Sequence, residues 1–185
     1  MNLLVVVQEC KRSSKLLVEQ DKCEGSGTEA TVVIYDYFNG QIVTEINLQG
    51  MRIPHTLLYS ETYQVLFMSG LEKRIKIYDL HPVYMDASLK GELIGHESLI
   101  TCFTLVSSTP MLISADDKGK VKLWDYRNYI CLQTIDFSDK TVITNILDMI
   151  EIGKIGIFGS RVNYIDFEDR YVIMKKRNEE ESLKI

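Results

Sequence analysis

Short apolar stretches of strand length follow one another along the chain, and four of them close on the same punctuation. TVVIYD, RIKIYD, KVKLWD and VNYIDF each run apolar or alternate apolar with polar, then meet an aspartate: Tyr35-Asp36, Tyr78-Asp79, Trp124-Asp125 and Ile165-Asp166. The pairs recur at intervals of 43, 46 and 41 residues. Such a period marks units made from four short strands. The flanks supply the other strands. HTLLYSE and QVLFMSG precede Tyr78-Asp79, ITCFTLV and MLISA precede Trp124-Asp125, and VITNILDMI and KIGIFGS precede Ile165-Asp166. QIVTEINL, GELIG, ICLQTI and RYVIMKK follow the four pairs. The first of these is reached through Tyr37-Phe38-Asn39-Gly40, whose Asn-Gly suits a tight hairpin.

The pattern predicts an all-β chain of about four antiparallel four-stranded blades, over 1–48, 53–95, 99–137 and 141–177, with a charged tail at 178–185. Pro54, Pro82 and Pro110 fall between strands, as expected of a residue that cannot donate to a sheet ladder. The insert VYMDASLK ahead of GELIG has room for one short turn. In the first repeat, ECKRSSKLLVEQDKCEGSGTEA separates LLVVV from TVVIYD and reads as flexible surface; its Gly-Ser-Gly is no phosphate cradle, because no helix follows.

Composition narrows the function classes. With 45% hydrophobic residues in 185, the chain can bury one substantial core. Acidic residues outnumber basic ones by 26 to 21, and a net charge of −5 is repelled by a phosphate backbone, so nucleic acid is not an expected partner. No apolar run reaches the ~18 residues a membrane-spanning helix needs. The four cysteines, Cys10, Cys23, Cys102 and Cys131, show no Cys-x-x-Cys spacing. Cys102 and Cys131 lie in apolar strands as small hydrophobes, and Cys10 and Cys23 have no histidine near them to build a zinc site. The reading is a cytoplasmic protein with reduced thiols, no membrane contact, no metal and no cofactor.

The third repeat carries a resemblance. Gly95-His96, Ser114, the Asp116-Asp117 turn and Trp124-Asp125, 28 residues after the histidine, resemble a WD40 repeat, the blade unit of a β-propeller family. The match covers residue identities over 95–135 and spacing over most of the chain. It implies a hydrogen-bonded tetrad inside the blade, made by His96, Ser114, Trp124 and a turn aspartate. In the family that aspartate usually stands where this sequence has Lys118. Either the turn shifts so that Asp117 reaches His96, or the network is partial. The other repeats depart further, with Tyr78 and Ile165 at the tryptophan position, and are expected to hold by packing. Asp36, Asp79, Asp125 and Asp166 are read as structural, capping the turn that leaves the third strand.

Propellers of this family usually close with more than four blades. Three readings follow: part of a longer polypeptide, half of a ring completed by a second copy or a partner, or a compact four-bladed ring. The resemblance implies a scaffold that docks proteins or peptides on its loop rim. Arg52 and His55, Glu97, and Lys140 with Asp139 are placed on that rim, together with the turn residues Glu72, Asp116 and Arg161. Their mixed charge suits a polar partner. Trp124-Asp125-Tyr126-Arg127 is also similar to the Trp-Asp-x-Arg box of cullin ubiquitin ligase substrate receptors, which would make Arg127 an adaptor contact. A fainter similarity, carried by PHTLLYSETYQVLFMSGLEKRIKIYDL, is to large EF-hand-associated WD-repeat proteins and implies a place near an axoneme or cytoskeleton.

Catalysis finds little support in the residues. His96 is the family's structural histidine, while His55 and His81 each adjoin a proline in a loop. No nucleophile elbow, zinc-protease motif, P-loop or calcium loop occurs. The chain is therefore read as non-enzymatic.

Overall fold

The computed structural model describes residues 3–10, 29–36, 38–48, 54–81, 86–107, 109–137, 142–149, 153–160 and 162–166. Among these every regular element is a strand. The strands form four separate sheets, each a meander in chain order. The first joins β1 (Leu3–Cys10), β2 (Glu29–Asp36) and β3 (Ile42–Leu48). The second joins β4 (Thr56–Ser60), β5 (Val65–Ser69), β6 (Arg74–His81) and β7 (Asp86–Ile94). The third joins β8 (Ile100–Val106), β9 (Met111–Asp116), β10 (Lys120–Asp125) and β11 (Ile130–Asp136). The fourth joins β12 (Ile143–Met149), β13 (Lys154–Gly159) and β14 (Val162–Asp166). The second and third sheets have the four antiparallel strands that the spacing predicts. The expected outer strand RYVIMKK, the loop at 11–28 and the tail at 178–185 lie outside the described residues.

Within the insert before GELIG, DASLK belongs to the nine-residue strand β7, and the remainder, 83–85, where the sequence has room for a short turn, lies outside the described residues. One local expectation is corrected: the Asn39-Gly40 turn is longer than a two-residue hairpin. Asp36 and Gln41 pair across it, the Gly40 N–H donates to the Asp36 carbonyl, and the left-handed residue is Gly40, at φ +67°.

The described chain divides into two compact units, Met1–Gly91 and Glu92–Ile185. Each has a core made by one sheet face meeting another, as the period-two pattern of the strands requires. In the first, Val32, Ile34, Val43, Ile46 and Leu48 pack with Leu66, Met68, Tyr78 and Leu80. In the second, Ile113, Ala115, Val121 and Leu123 pack with Ile143, Ile146, Ile155 and Ile157. A fully buried aliphatic side chain contributes roughly 1.5–3 kcal/mol, so these faces dominate the stability of each unit. Polar links add precision in the second: Thr101 donates its hydroxyl to the Ile143 carbonyl, and the Ser107 N–H donates to Asp148 Oδ2 at 2.7 Å.

Candidate functional site

The third sheet is organised around its one tryptophan. Ser114 lies opposite Lys122 and Leu112 opposite Trp124, so Ser114 and Trp124 share the face turned away from the Val121 and Leu123 core. Asp116, two residues beyond Ser114 on the same strand, is on that face too. His96 reaches it from the loop after β7. Gly95 lets the chain pass close by, since a Cβ there would stand 3.1 Å from Trp124 Cη2.

The four side chains form one hydrogen-bonded line. The indole Nε1–H of Trp124 donates to Ser114 Oγ at 2.7 Å, and His96 Nε2 meets the same oxygen at 2.7 Å. His96 Nδ1 meets Asp116 Oδ2 at 2.9 Å. The indole can only donate, so the serine hydroxyl gives its own proton to Nε2, and His96 carries its hydrogen on Nδ1 and donates it to the carboxylate. The other carboxylate oxygen accepts the backbone N–H groups of Lys118 at 3.1 Å and Lys120 at 2.9 Å. Burial lowers the His96 pKa below its ordinary value, against the opposing pull of Asp116, which keeps the ring neutral.

The aspartate of this tetrad is Asp116, which corrects the expectation of Asp117 or a partial network and also removes Asp116 from the rim. Its side chain is fully buried. The reason is the strand's period: β9 continues through Asp116, so Ser114 and Asp116 point to one face, whereas Asp117 has left the strand. Ser114, His96 and Asp116 also reproduce the connectivity of a catalytic serine triad. They cannot act as one here, because Ser114 has no exposed surface and its oxygen is already held by the indole.

The other sheets lack this network for a reason visible in their registers. The place of Ser114 is taken by Val6, opposite Val33, by Met68, opposite Lys76, and by Ile157, opposite Asn163. The terminal aspartates act locally. Asp36 Oδ1 accepts the Phe38 N–H and its Oδ2 accepts from the Asn39 amide. Asp125 does the same with the Arg127 N–H and the Asn128 amide. Asp79 differs, facing Lys90 Nζ at 3.5 Å, and the side chain of Asp166 lies outside the described residues.

No family model matches the sequence. Among curated proteins the chain is similar to the pre-rRNA-processing protein IPI3 of Yarrowia lipolytica, 31% identical over 111 residues, which is 53% of this chain and 26% of that protein. It is 37% identical over 78 residues to Elongator complex protein 2 of Saccharomyces cerevisiae, covering 40% of this chain and 10% of that one. It is 29% identical over 83 residues to the tRNA (guanine-N(7)-)-methyltransferase non-catalytic subunit wdr4 of Dictyostelium discoideum, covering 44% and 17%. The matches thus span about a quarter or less of these relatives' lengths. The tetrad and the four-stranded antiparallel sheets are consistent with WD40 repeats.

The chain resembles WD40-repeat proteins.

Of the rim residues expected from the WD40 resemblance, Arg52, Lys140 and Arg161 lie outside the described residues, as does Asp139. His55 is exposed at the start of β4, with its backbone N–H on the Ser69 carbonyl, and the half-buried Glu72 turns at the same end of the second sheet. Glu97 is exposed at the corresponding end of the third sheet and accepts a 2.9 Å hydrogen bond from Lys120 Nζ. That bond holds the Glu97 carboxyl below its ordinary pKa and raises Lys120. Arg127 sits at the opposite strand end, 60% exposed, with Nε leaning back to Asp125 at 3.7 Å. Lys118 and Lys120 were not legible as site residues, because only the turn closed by Asp116 sets them beside Glu97.

Proposed function

We propose that the chain is a non-catalytic docking platform, one part of a multi-protein assembly, whose partner binds the strand-end rim around Glu97, Lys118 and Lys120. One observation carries this reading. A continuous line of hydrogen bonds runs from the buried Trp124 through Ser114, His96 and Asp116 to the backbone of Lys120, whose ammonium then fixes the exposed Glu97 carboxylate. Charged groups held by a rigid scaffold recognise a polar partner with little ordering cost. The relatives support the class, since they include an Elongator complex protein and a subunit named non-catalytic. Direct RNA contact is not part of the proposal, because the net charge of −5 opposes it. A cytoplasmic setting fits the free thiols of Cys102 and Cys131. Affinity purification of the tagged chain, quantified by mass spectrometry, tests the reading. Partners lost on Glu97→Lys or Lys120→Glu, with unchanged melting, support it; a partner set indifferent to both reversals refutes it.

A second reading is favoured by the exposure of Arg127 on its capped turn: docking to a cullin ligase adaptor. Adaptor binding in a pull-down that survives Arg127→Ala disposes of it.

A further inference from the structure

Asn39-Gly40 is the single Asn-Gly in the sequence. A glycine has no Cβ to crowd its own nitrogen, so that nitrogen can attack the side-chain amide carbon of the asparagine before it. The new bond joins Gly40 N to Asn39 Cγ, the Cγ–Nδ2 bond breaks, and ammonia leaves carrying the proton that Gly40 N gives up. Water then opens the five-membered imide at either carbonyl, and a carboxylate stands where the amide stood, in an aspartyl or an isoaspartyl linkage. Water is the only co-reactant. Access is open, since Asn39 and Gly40 are exposed and nothing lies within 4 Å of where a Gly40 Cβ would be. Asn47, Asn128, Asn145 and Asn163 are followed by Leu, Tyr, Ile and Tyr, whose side chains crowd the attacking nitrogen.

The folded turn opposes this reaction at both reacting groups. The Gly40 N–H donates to the Asp36 carbonyl at 2.9 Å, away from the side chain it would attack. The Asn39 amide is held at both ends: its Oδ1 accepts the Gln41 N–H at 2.8 Å, and its Nδ2 donates to Asp36 Oδ2 at 3.2 Å. Attack therefore waits on opening of the turn. We propose that Asn39-Gly40 is a site of spontaneous deamidation latched by Asp36, slow while the turn is closed, fast once it opens, and one-way in its effect. The product carboxylate has no proton to give Asp36 Oδ2 and meets it as a like charge, so the turn cannot close again with the same bonds. Phe38, 81% exposed and fixed by its N–H on Asp36 Oδ1, then loses its set presentation. The turn contains none of the rim residues Glu97, Lys118 and Lys120, so this proposal and the docking proposal fail independently.

Timed incubation of the purified chain at mildly alkaline pH, followed by digestion and mass spectrometry, tests it. Each of the three hydrogen bonds corresponds to about a factor of five in the opening equilibrium, so the folded chain should convert Asn39 roughly tenfold to a hundredfold more slowly than the same chain unfolded in guanidinium chloride. Asp36→Asn keeps an acceptor for the Phe38 N–H but offers the Asn39 amide none, and should speed conversion in a chain that circular dichroism shows to be folded. Gly40→Ala should slow conversion sharply even in the unfolded chain. Asn128, which makes the same bond to Asp125 but precedes Tyr129, serves as the internal control and should stay intact throughout. Equal Asn39 rates in the folded and unfolded chain overturn the proposal. So does a folded Asp36→Asn chain no faster than wild type, an unfolded Gly40→Ala chain as fast as wild type, or an Asn39 that survives every condition.

Discussion

Replacing Asp116 and Asp117 by alanine, one at a time, separates two neighbouring carboxylates that the sequence alone leaves interchangeable. Asp116 accepts three hydrogen bonds, from His96 Nδ1–H and from the amides of Lys118 and Lys120. The exposed Lys118 amide can turn to water, and the half-buried Lys120 amide in part, so they contribute little to the loss. The imidazole N–H cannot, and a buried donor left without a partner costs about 1–3 kcal/mol, with a charged acceptor at the upper end. Loosening of the turn adds to this, so Asp116→Ala should cost about 3 kcal/mol. Asp117 has one carboxylate oxygen buried with no hydrogen-bond partner, and removing it should change stability by no more than ~0.5 kcal/mol. Urea unfolding reads both variants through Trp124, the single tryptophan, a residue 1% exposed when folded whose indole emits further to the red once in water. In a thermal melt the same difference is about 6–12 °C for a chain of this size. An Asp117→Ala loss equal to or larger than that of Asp116→Ala would refute the assignment.

The remaining expectations are smaller. Because burial lowers the His96 pKa, the unfolded chain binds the histidine proton first as pH falls. The stability this group supplies is therefore full above the ordinary histidine value of about 6.5 and declines below it, and His96→Gln should flatten that part of a stability-versus-pH series. An equally steep decline in the variant would count against the neutral tetrad. Gly40→Ala should destabilise by about 1 kcal/mol in denaturant titration through backbone conformation alone, since its φ is +67° and nothing lies within 4 Å of the added Cβ. A neutral result would mean that the turn adopts another geometry in solution. Cys102, buried with its thiol pKa pushed up to about 11, should resist alkylation in the folded chain, whereas the half-buried Cys131 should label faster; mass spectrometry after a timed iodoacetamide pulse decides it. Equal labelling rates would contradict the packing of β8.

What the sequence made legible was whatever depends on the chain's own period. Apolar strands ending on aspartate announce four units because a strand's face repeats every two residues, whatever its neighbours do. The tetrad aspartate was readable by the same rule, two residues after Ser114, but counting back from Trp124 by the family's spacing lands on Lys118 and brings Asp117 into contention. Counting fails here because turn lengths differ between units. Met68 and Ile157 both occupy the place of Ser114, yet Met68 stands ten residues before Tyr78 and Ile157 eight before Ile165. Strand register alone identifies them, and register is set by which faces are buried rather than by any local motif. The site residues follow the same logic one step further out. Glu97 and Lys120 lie 23 positions apart and meet only because the Asp116 carboxylate fixes the turn between β9 and β10. A valine in the sequence of β14 looks like the valine of β10; that one is sealed and the other half open is a property of what lies against the sheet, which no single strand encodes.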